Sequence, residues 1–130
     1  MLRARRGVTL IELFVVIVII GVLAAIALPY FWHVRERAFV TAVQSDLRSF
    51  ASQQELYHDK NLGYAGDLGL LPDFHPSAGV TVQVTAASID GWAATGVHSS
   101  LASRQCGLYY GTATAGDAPP AMTSGVIACN

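Results

Sequence analysis

The chain has 130 residues, enough for one domain, and it is 52% hydrophobic with only 13% charged residues. That balance excludes extended disorder and coiled-coil rods, both of which need far more charge. The net charge is −1, but Arg3, Arg5 and Arg6 crowd the N-terminus while the segment from His58 onward sets Lys60 and Arg104 against Asp59, Asp67, Asp73, Asp90 and Asp117, which argues against nucleic-acid binding by that segment, and no direct nucleic-acid binding is expected.

Residues 1–7 form a short basic leader. Residues 13–32 then run without a single Asp, Glu, Lys or Arg. At about 1.5 Å per residue such a stretch matches the roughly 30 Å hydrocarbon core of a bilayer, so a membrane-spanning helix is predicted. The arginines before it keep that end in the cytoplasm and put the rest of the chain on the far side. Thr9 is a candidate N-cap, with Glu12 three residues later as its capping-box partner. Gly21 and Pro29 fall inside the span, where Pro29 predicts a kink or a loosened turn. Tyr30, Phe31 and Trp32 close it, as an interfacial aromatic belt does, although packing against neighbouring helices accounts for them equally well. A secretory signal is a rival reading, with residues 13–24 as its apolar region and Ala25-Ile26-Ala27 as the cleavage site. It leaves Glu12 unexplained and wastes the helix that follows.

Beyond the belt the pattern turns amphipathic. Phe39, Val43, Leu47, Phe50 and Tyr57 recur at steps of three, four or seven, with Arg37, Gln44, Arg48 and Gln53 between them, which extends one helix to about residue 57. Its spanning half covers residues 8–32 and its amphipathic half 33–57. Residues 58–77 read as a connecting loop, rich in Gly, Asp, Asn and Pro. Residues 78–130 read as a sheet-based head. Val80, Val82, Val84 and Ala86 alternate with Thr81, Gln83 and Thr85 as in a half-buried strand. A turn at Ile89-Asp90-Gly91 leads to a second strand at 92–97. A third covers 105–110, and a short last one 126–129 follows a loop marked by Gly116-Asp117 and Pro119-Pro120. The fold class is α+β, a long N-terminal helix packed against a small antiparallel sheet of about four strands. Cys106 and Cys129 both fall in the exported part, where an oxidising compartment lets them pair and close a loop that a chain-entropy model values at roughly 3 kcal/mol. The pair would tie the last strand to the third.

Glu12 does not fit a plain anchor. An ionised carboxylate beside Leu10, Ile11 and Leu13 at the edge of a span costs several kcal/mol unless a cation pairs with it. Arg5 and Arg6 are the local candidates. The run Gly7-Val8-Thr9-Leu10-Ile11-Glu12, preceded by Arg5-Arg6 and followed by Gly21-Val22-Leu23-Ala24-Ala25-Ile26-Ala27-Leu28-Pro29, resembles the N-terminus of type IV pilins and the related pseudopilins of type II secretion. The resemblance is dense over about the first 35 residues and looser beyond. It implies cleavage after Gly7 by a prepilin peptidase, methylation of the new amine on Val8, and attraction between Glu12 and the Val8 amine of an adjacent subunit during assembly. Family members commonly begin their mature chain with Phe or Met, and Val8 departs from that. Pro29 falls where the family carries a proline around which the helix loosens in the filament, with Gly21 a second weak point. The implied partners are further copies of the chain in a helical homopolymer, the prepilin peptidase, the inner-membrane assembly machinery, and membrane lipid before assembly. The implied location is the inner membrane first and an extracellular pilus afterwards. A type II secretion pseudopilin, or a single-pass anchored binding module that never polymerises, are the alternatives.

No catalytic set rises above background, and no enzyme activity is expected. Ser99, His98 and Asp90 lack a nucleophile elbow. Gly63, Gly66 and Gly69 follow no strand, as a phosphate cradle would require. Four histidines show no ligand spacing, and Asp59, Asn61, Asp67 and Asp73 read better as a solvated loop than as calcium ligands. No cofactor or metal is expected. The aromatic residues along the helix, Phe14 among them, sit at the spacing that packing demands, so electron conduction is not expected.

Overall fold

The computed structural model describes residues 7–130, so Arg3, Arg5 and Arg6 of the leader lie outside the described residues. Helix α1 (Leu10–Asn61) is followed by strands β1 (Val80–Ala87), β2 (Gly91–His98), β3 (Gln105–Gly111) and β4 (Ala128–Cys129), with short 3-10 turns at Leu68–Leu70, Ser99–Leu101 and Ala115–Asp117. The chain divides into two units, Met1–Arg35 and Glu36–Asn130, and α1 contributes to both.

In the N-terminal unit the helix is built mostly from Leu, Ile, Val and Ala, and nearly all of those side chains stay exposed. Its most apolar stretch is long enough to cross a membrane, and none of that stretch is buried within the chain. The helix runs without a break through Gly21 and Pro29. The loosening predicted at Pro29 is therefore not visible as an interruption, because a proline deletes one backbone hydrogen bond while the turns on either side keep theirs.

The C-terminal unit buries what the N-terminal unit exposes. Val43, Leu47 and Phe50 of α1, spaced four and three apart, form a single stripe that packs on Val80 and Val82 of β1, Trp92 and Ala94 of β2 and Leu108 of β3. Phe50 sits at the centre, with its ring edge-on to Phe74 at 5.4 Å and to Trp92 at 5.2 Å. The strands lie in the order β1-β2-β3-β4 with every neighbour antiparallel. Strand β1 alternates buried and exposed residues as its sequence predicts, but β2 is buried on both faces. Its outer face is covered by the segment between β3 and β4, where Ala118 and Ala121 pack on Ala93. Small residues permit these close layers. A methyl group on Gly96 would meet Val43 Cγ1 of the helix at 2.8 Å, and one on Gly107 would collide with the carbonyl of Ala118.

Helix α1 continues to Asn61, four residues beyond Tyr57 where its apolar pattern ends. Leu62, with φ of 56°, turns the chain out of it. Strand β4 is shorter than predicted, Ala128–Cys129 in place of 126–129. Gly125 at φ 76° and a turn bond from the Val126 amide to the Thr123 carbonyl hold the preceding residues off the ladder.

Candidate functional site

The start of α1 is a closed capping box. The Thr9 amide and the Thr9 hydroxyl both donate to Glu12 Oε2 at 2.7 Å, and the Glu12 amide donates back to Thr9 Oγ1 at 3.3 Å. The Thr9 carbonyl accepts from the Leu13 amide at 3.2 Å, which starts the regular ladder. Every one of these carboxylate contacts falls on Oε2. Among the described residues no hydrogen bond uses Oε1 and no ion pair reaches Glu12. The geometry thus fixes an acidic group at the first turn, with one oxygen committed to its own helix and the other without a hydrogen bond among the described residues. Gly7 and Val8 precede the helix, exposed and outside any helix or strand. Gly21 and Pro29 lie further along the same helix, 9 and 17 residues past Glu12, and contribute nothing to the Glu12 site.

At the other end of the chain Cys106 and Cys129 form a disulfide. They face each other directly across the β3/β4 ladder, so the bond closes a pair the sheet has already aligned. Gln44 Nε2 donates to Cys129 Sγ at 3.4 Å. The last residue is clasped as well, since Asn130 Oδ1 accepts from the Gln105 amide at 2.7 Å and the Asn130 carbonyl accepts from Arg104 Nη1 at 3.2 Å. Arg104 also forms an ion pair with Glu36 at the start of the C-terminal unit.

Two polar residues of α1 do structural work that the sequence reading passed over. Both carboxylate oxygens of buried Asp46 accept from Ser77, one from its amide at 2.7 Å and one from its hydroxyl at 2.9 Å. The fully buried Gln54 amide makes a two-way bond with Ala65, accepting from its N–H and donating to its C=O, each at 2.8 Å. Between them they pin the connecting segment to the helix. Gln54 was detectable, because it falls seven residues after Leu47 and four after Phe50, on the apolar stripe itself.

The weak chemical sets do not assemble. His98 Nδ1 accepts from the Ser100 amide at 3.1 Å and its ring stacks on Phe39 at 4.2 Å, with no hydrogen bond to Ser99 or Asp90 among the described residues. Asp67 caps the turn that follows it through the Gly69 amide at 2.6 Å. No group of three or more His, Cys, Asp or Glu side chains could hold a metal ion among the described residues.

Comparison with known proteins places these features in context. Residues 2–28 match the family model of the prokaryotic N-terminal methylation motif. The chain is 34% identical over 101 residues to the type IV wide pilus major component of Thermus thermophilus, an overlap of 75% of this chain and 77% of that protein. It is 37% identical over 75 residues to the type IV major pilin protein of Myxococcus xanthus, covering 52% of this chain and 32% of that one. It is also 37% identical over 62 residues to the type II secretion system core protein G of Pseudomonas aeruginosa, covering 48% of this chain and 44% of that one.

Proposed function

The chain belongs to the type IV pilin family, and on that premise we propose that it is the structural subunit of a type IV pilus, polymerising through its N-terminal helix after cleavage following Gly7. The observation that carries the reading is an apolar helix stretch left unburied among the described residues, headed by a single carboxylate. In water such a surface is untenable, so it is covered by lipid before assembly and by the helices of other subunits afterwards.

Cleavage after Gly7 creates a positive amine at Val8, and methylation keeps that charge. In an apolar filament core an amine and a carboxylate from different subunits attract strongly, and either one alone is costly. Glu12 Oε1, outside the capping box, is the oxygen suited to a neighbour's Val8 amine. Thr9 holds the carboxylate in place. The arginines of the leader keep the N-terminus cytoplasmic, and the C-terminal unit is exported, a location that agrees with its disulfide. Gly21 and Pro29 are the points at which the helix yields when subunits pack. The prepilin peptidase and the inner-membrane assembly machinery are the partners that this route requires.

The secretion pseudopilin remains the second reading because those relatives match over 62 residues. The match to the Thermus pilus component runs to 101 residues. That is longer than everything up to the end of α1 at Asn61, so the likeness continues into the head. Purified surface appendages decide between the readings. Intact mass and N-terminal sequencing should find this chain as their main protein, starting at Val8. A start at Leu28 would establish the secretory-signal rival, and an uncleaved Met1 with no appendages would leave only a membrane anchor.

A further inference from the structure

Within the C-terminal unit the exposed side of α1 carries its charges in a fixed order. Arg37, Arg48, Glu55 and Asp59 are all exposed. At 3.6 residues per turn they fall within about 40° of one another around the helix axis, so they form one stripe with both cations ahead of both carboxylates. The buried face, marked by Val43, Leu47 and Phe50, lies roughly a third of a turn away. Among the described residues none of the four side chains makes an ion pair, and their one hydrogen bond comes from the Tyr64 hydroxyl to Glu55 Oε1 at 3.3 Å. The two acids stand where the helix itself disfavours them. They are four residues apart, a spacing at which like charges repel, and Asp59 lies in the last turn, where the helix dipole favours a cation. The nearest cation on the stripe, Arg48, comes seven residues before Glu55, about 10 Å along the axis, and does not pair with it.

We propose that this stripe docks on the same stripe of a second copy of the chain, parallel to the first and displaced along the helix axis by about seven residues, roughly 10 Å, so that Arg48 of one copy pairs with Glu55 of the next. The proposal rests on the filament-subunit reading above and names the stagger between its subunits. The occupant and the stagger both follow from charge complementarity. With two copies in register, each of the four residues meets its own kind, and like charges face to face are costly. A shift of eleven residues sets Arg48 against Asp59 but also Arg37 against Arg48. A shift of seven brings Arg48 to Glu55, Ser52 to Asp59 and Arg37 to Gln44, with no like pair on the stripe. The Thr41 and Ser52 hydroxyls between the charges are turned onto the carbonyls of Arg37 and Arg48, at 2.8 and 3.2 Å, and do not compete for the partner. Glu55 of the first copy stays open to the Arg48 of a third, so the contact runs head to tail and propagates, as a filament requires and a closed dimer does not.

The test uses the full chain assembling in its own cells, with sheared filaments measured against cleaved protein and limited proteolysis showing that the head is folded. Arg48→Glu and Glu55→Arg should each lose most of the filament yield while cleaved, folded protein remains. The two changes together should recover it, because the swap restores opposite pairs at the same stagger. Full yield from either single reversal, or no recovery in the swap, overturns the contact, while filaments from the native chain keep the polymer reading. A native chain that is cleaved and makes no filaments removes both. The stagger is read separately, in filaments that also contain the native chain. Oxidation should link Arg48→Cys to Glu55→Cys chains when the two are assembled together and should link neither when it is assembled alone. A dimer from Arg48→Cys alone places the copies in register and overturns the stagger, and monomer throughout overturns the contact.

Discussion

Glu12 is the residue on which local structure and the proposed assembly contact meet. Its capping box is satisfied within one chain, so Glu12→Ala should remove the docking attraction at a helix-starting cost of about 1 kcal/mol, small beside the length of the helix. Membrane-inserted, cleaved protein should accumulate without filaments, as read by sheared-pilus yield against total protein. Glu12→Gln keeps the shape and loses the charge, and it should assemble poorly too. Normal filament yield from cleaved Glu12→Ala protein would return the carboxylate to a purely local role. A second single-residue test lies in the head. Because a Cβ at Gly96 would stand 2.8 Å from Val43 Cγ1, Gly96→Ala should force helix and sheet apart and cost about 1–3 kcal/mol. Denaturant unfolding of the full chain in detergent, followed by Trp92 fluorescence, measures it, and an unchanged midpoint would mean the layers give way freely.

At the scale of elements, the helix and the first strand were legible because their periods, 3.6 and 2, are imposed by a single buried face. Strand β2 was legible only as a strand. Burial on both faces erases alternation, and the Ala118–Ala121 cover on its outer side comes from a loop whose composition carries no sign of it. The clasps of the connecting segment were missed for a similar reason. A serine at position 77 and an aspartate at 46 read as solvated until the fold brings them together. The Glu12 capping box, by contrast, is a contact over three residues and was readable directly. Gln54 tests how much these clasps matter. Gln54→Leu would leave both the N–H and the C=O of buried Ala65 unpartnered and should cost about 2 kcal/mol or more. Hydrogen exchange should show faster opening around Ala65, and undiminished protection there would mean the connecting segment is held by its apolar contacts alone. The turn before the last strand gives a pH test. The Thr114 hydroxyl and amide both donate to Asp117, which holds that carboxyl below its ordinary 3.8. A depressed carboxylate stabilises the turn above its unfolded pKa and loses that contribution as the pH falls through the folded value. The Thr114 amide resonance should therefore move only below about pH 4, and Asp117→Asn should abolish the movement.

At the scale of the whole molecule, the two units obey opposite rules. The first leaves its apolar residues exposed, while the second encloses its own core, and the abrupt rise in charge beginning at Arg35 marks the change in the sequence. The enclosed unit is small, and its C-terminal end joins the sheet through few strand pairs. Strand β4 contributes only the pairs Cys106↔Cys129 and Gly107↔Ala128, and the intervening segment meets the sheet through alanines and a few bonds such as that from the Gly125 amide to the Tyr109 carbonyl at 2.8 Å. The disulfide is expected to contribute most to keeping that segment closed, since a loop of this length is worth roughly 3 kcal/mol in chain entropy. Replacing both cysteines by alanine removes the bond without leaving a buried free thiol. The double variant should be cut by protease within residues 112–125 under conditions that spare the native chain. Its head should also unfold at lower denaturant concentration, while flotation and cleavage after Gly7 stay unchanged because neither depends on the C-terminal unit. Equal protease resistance in the two proteins would mean that the Asn130 clasp and the alanine contacts suffice to hold β4 in place.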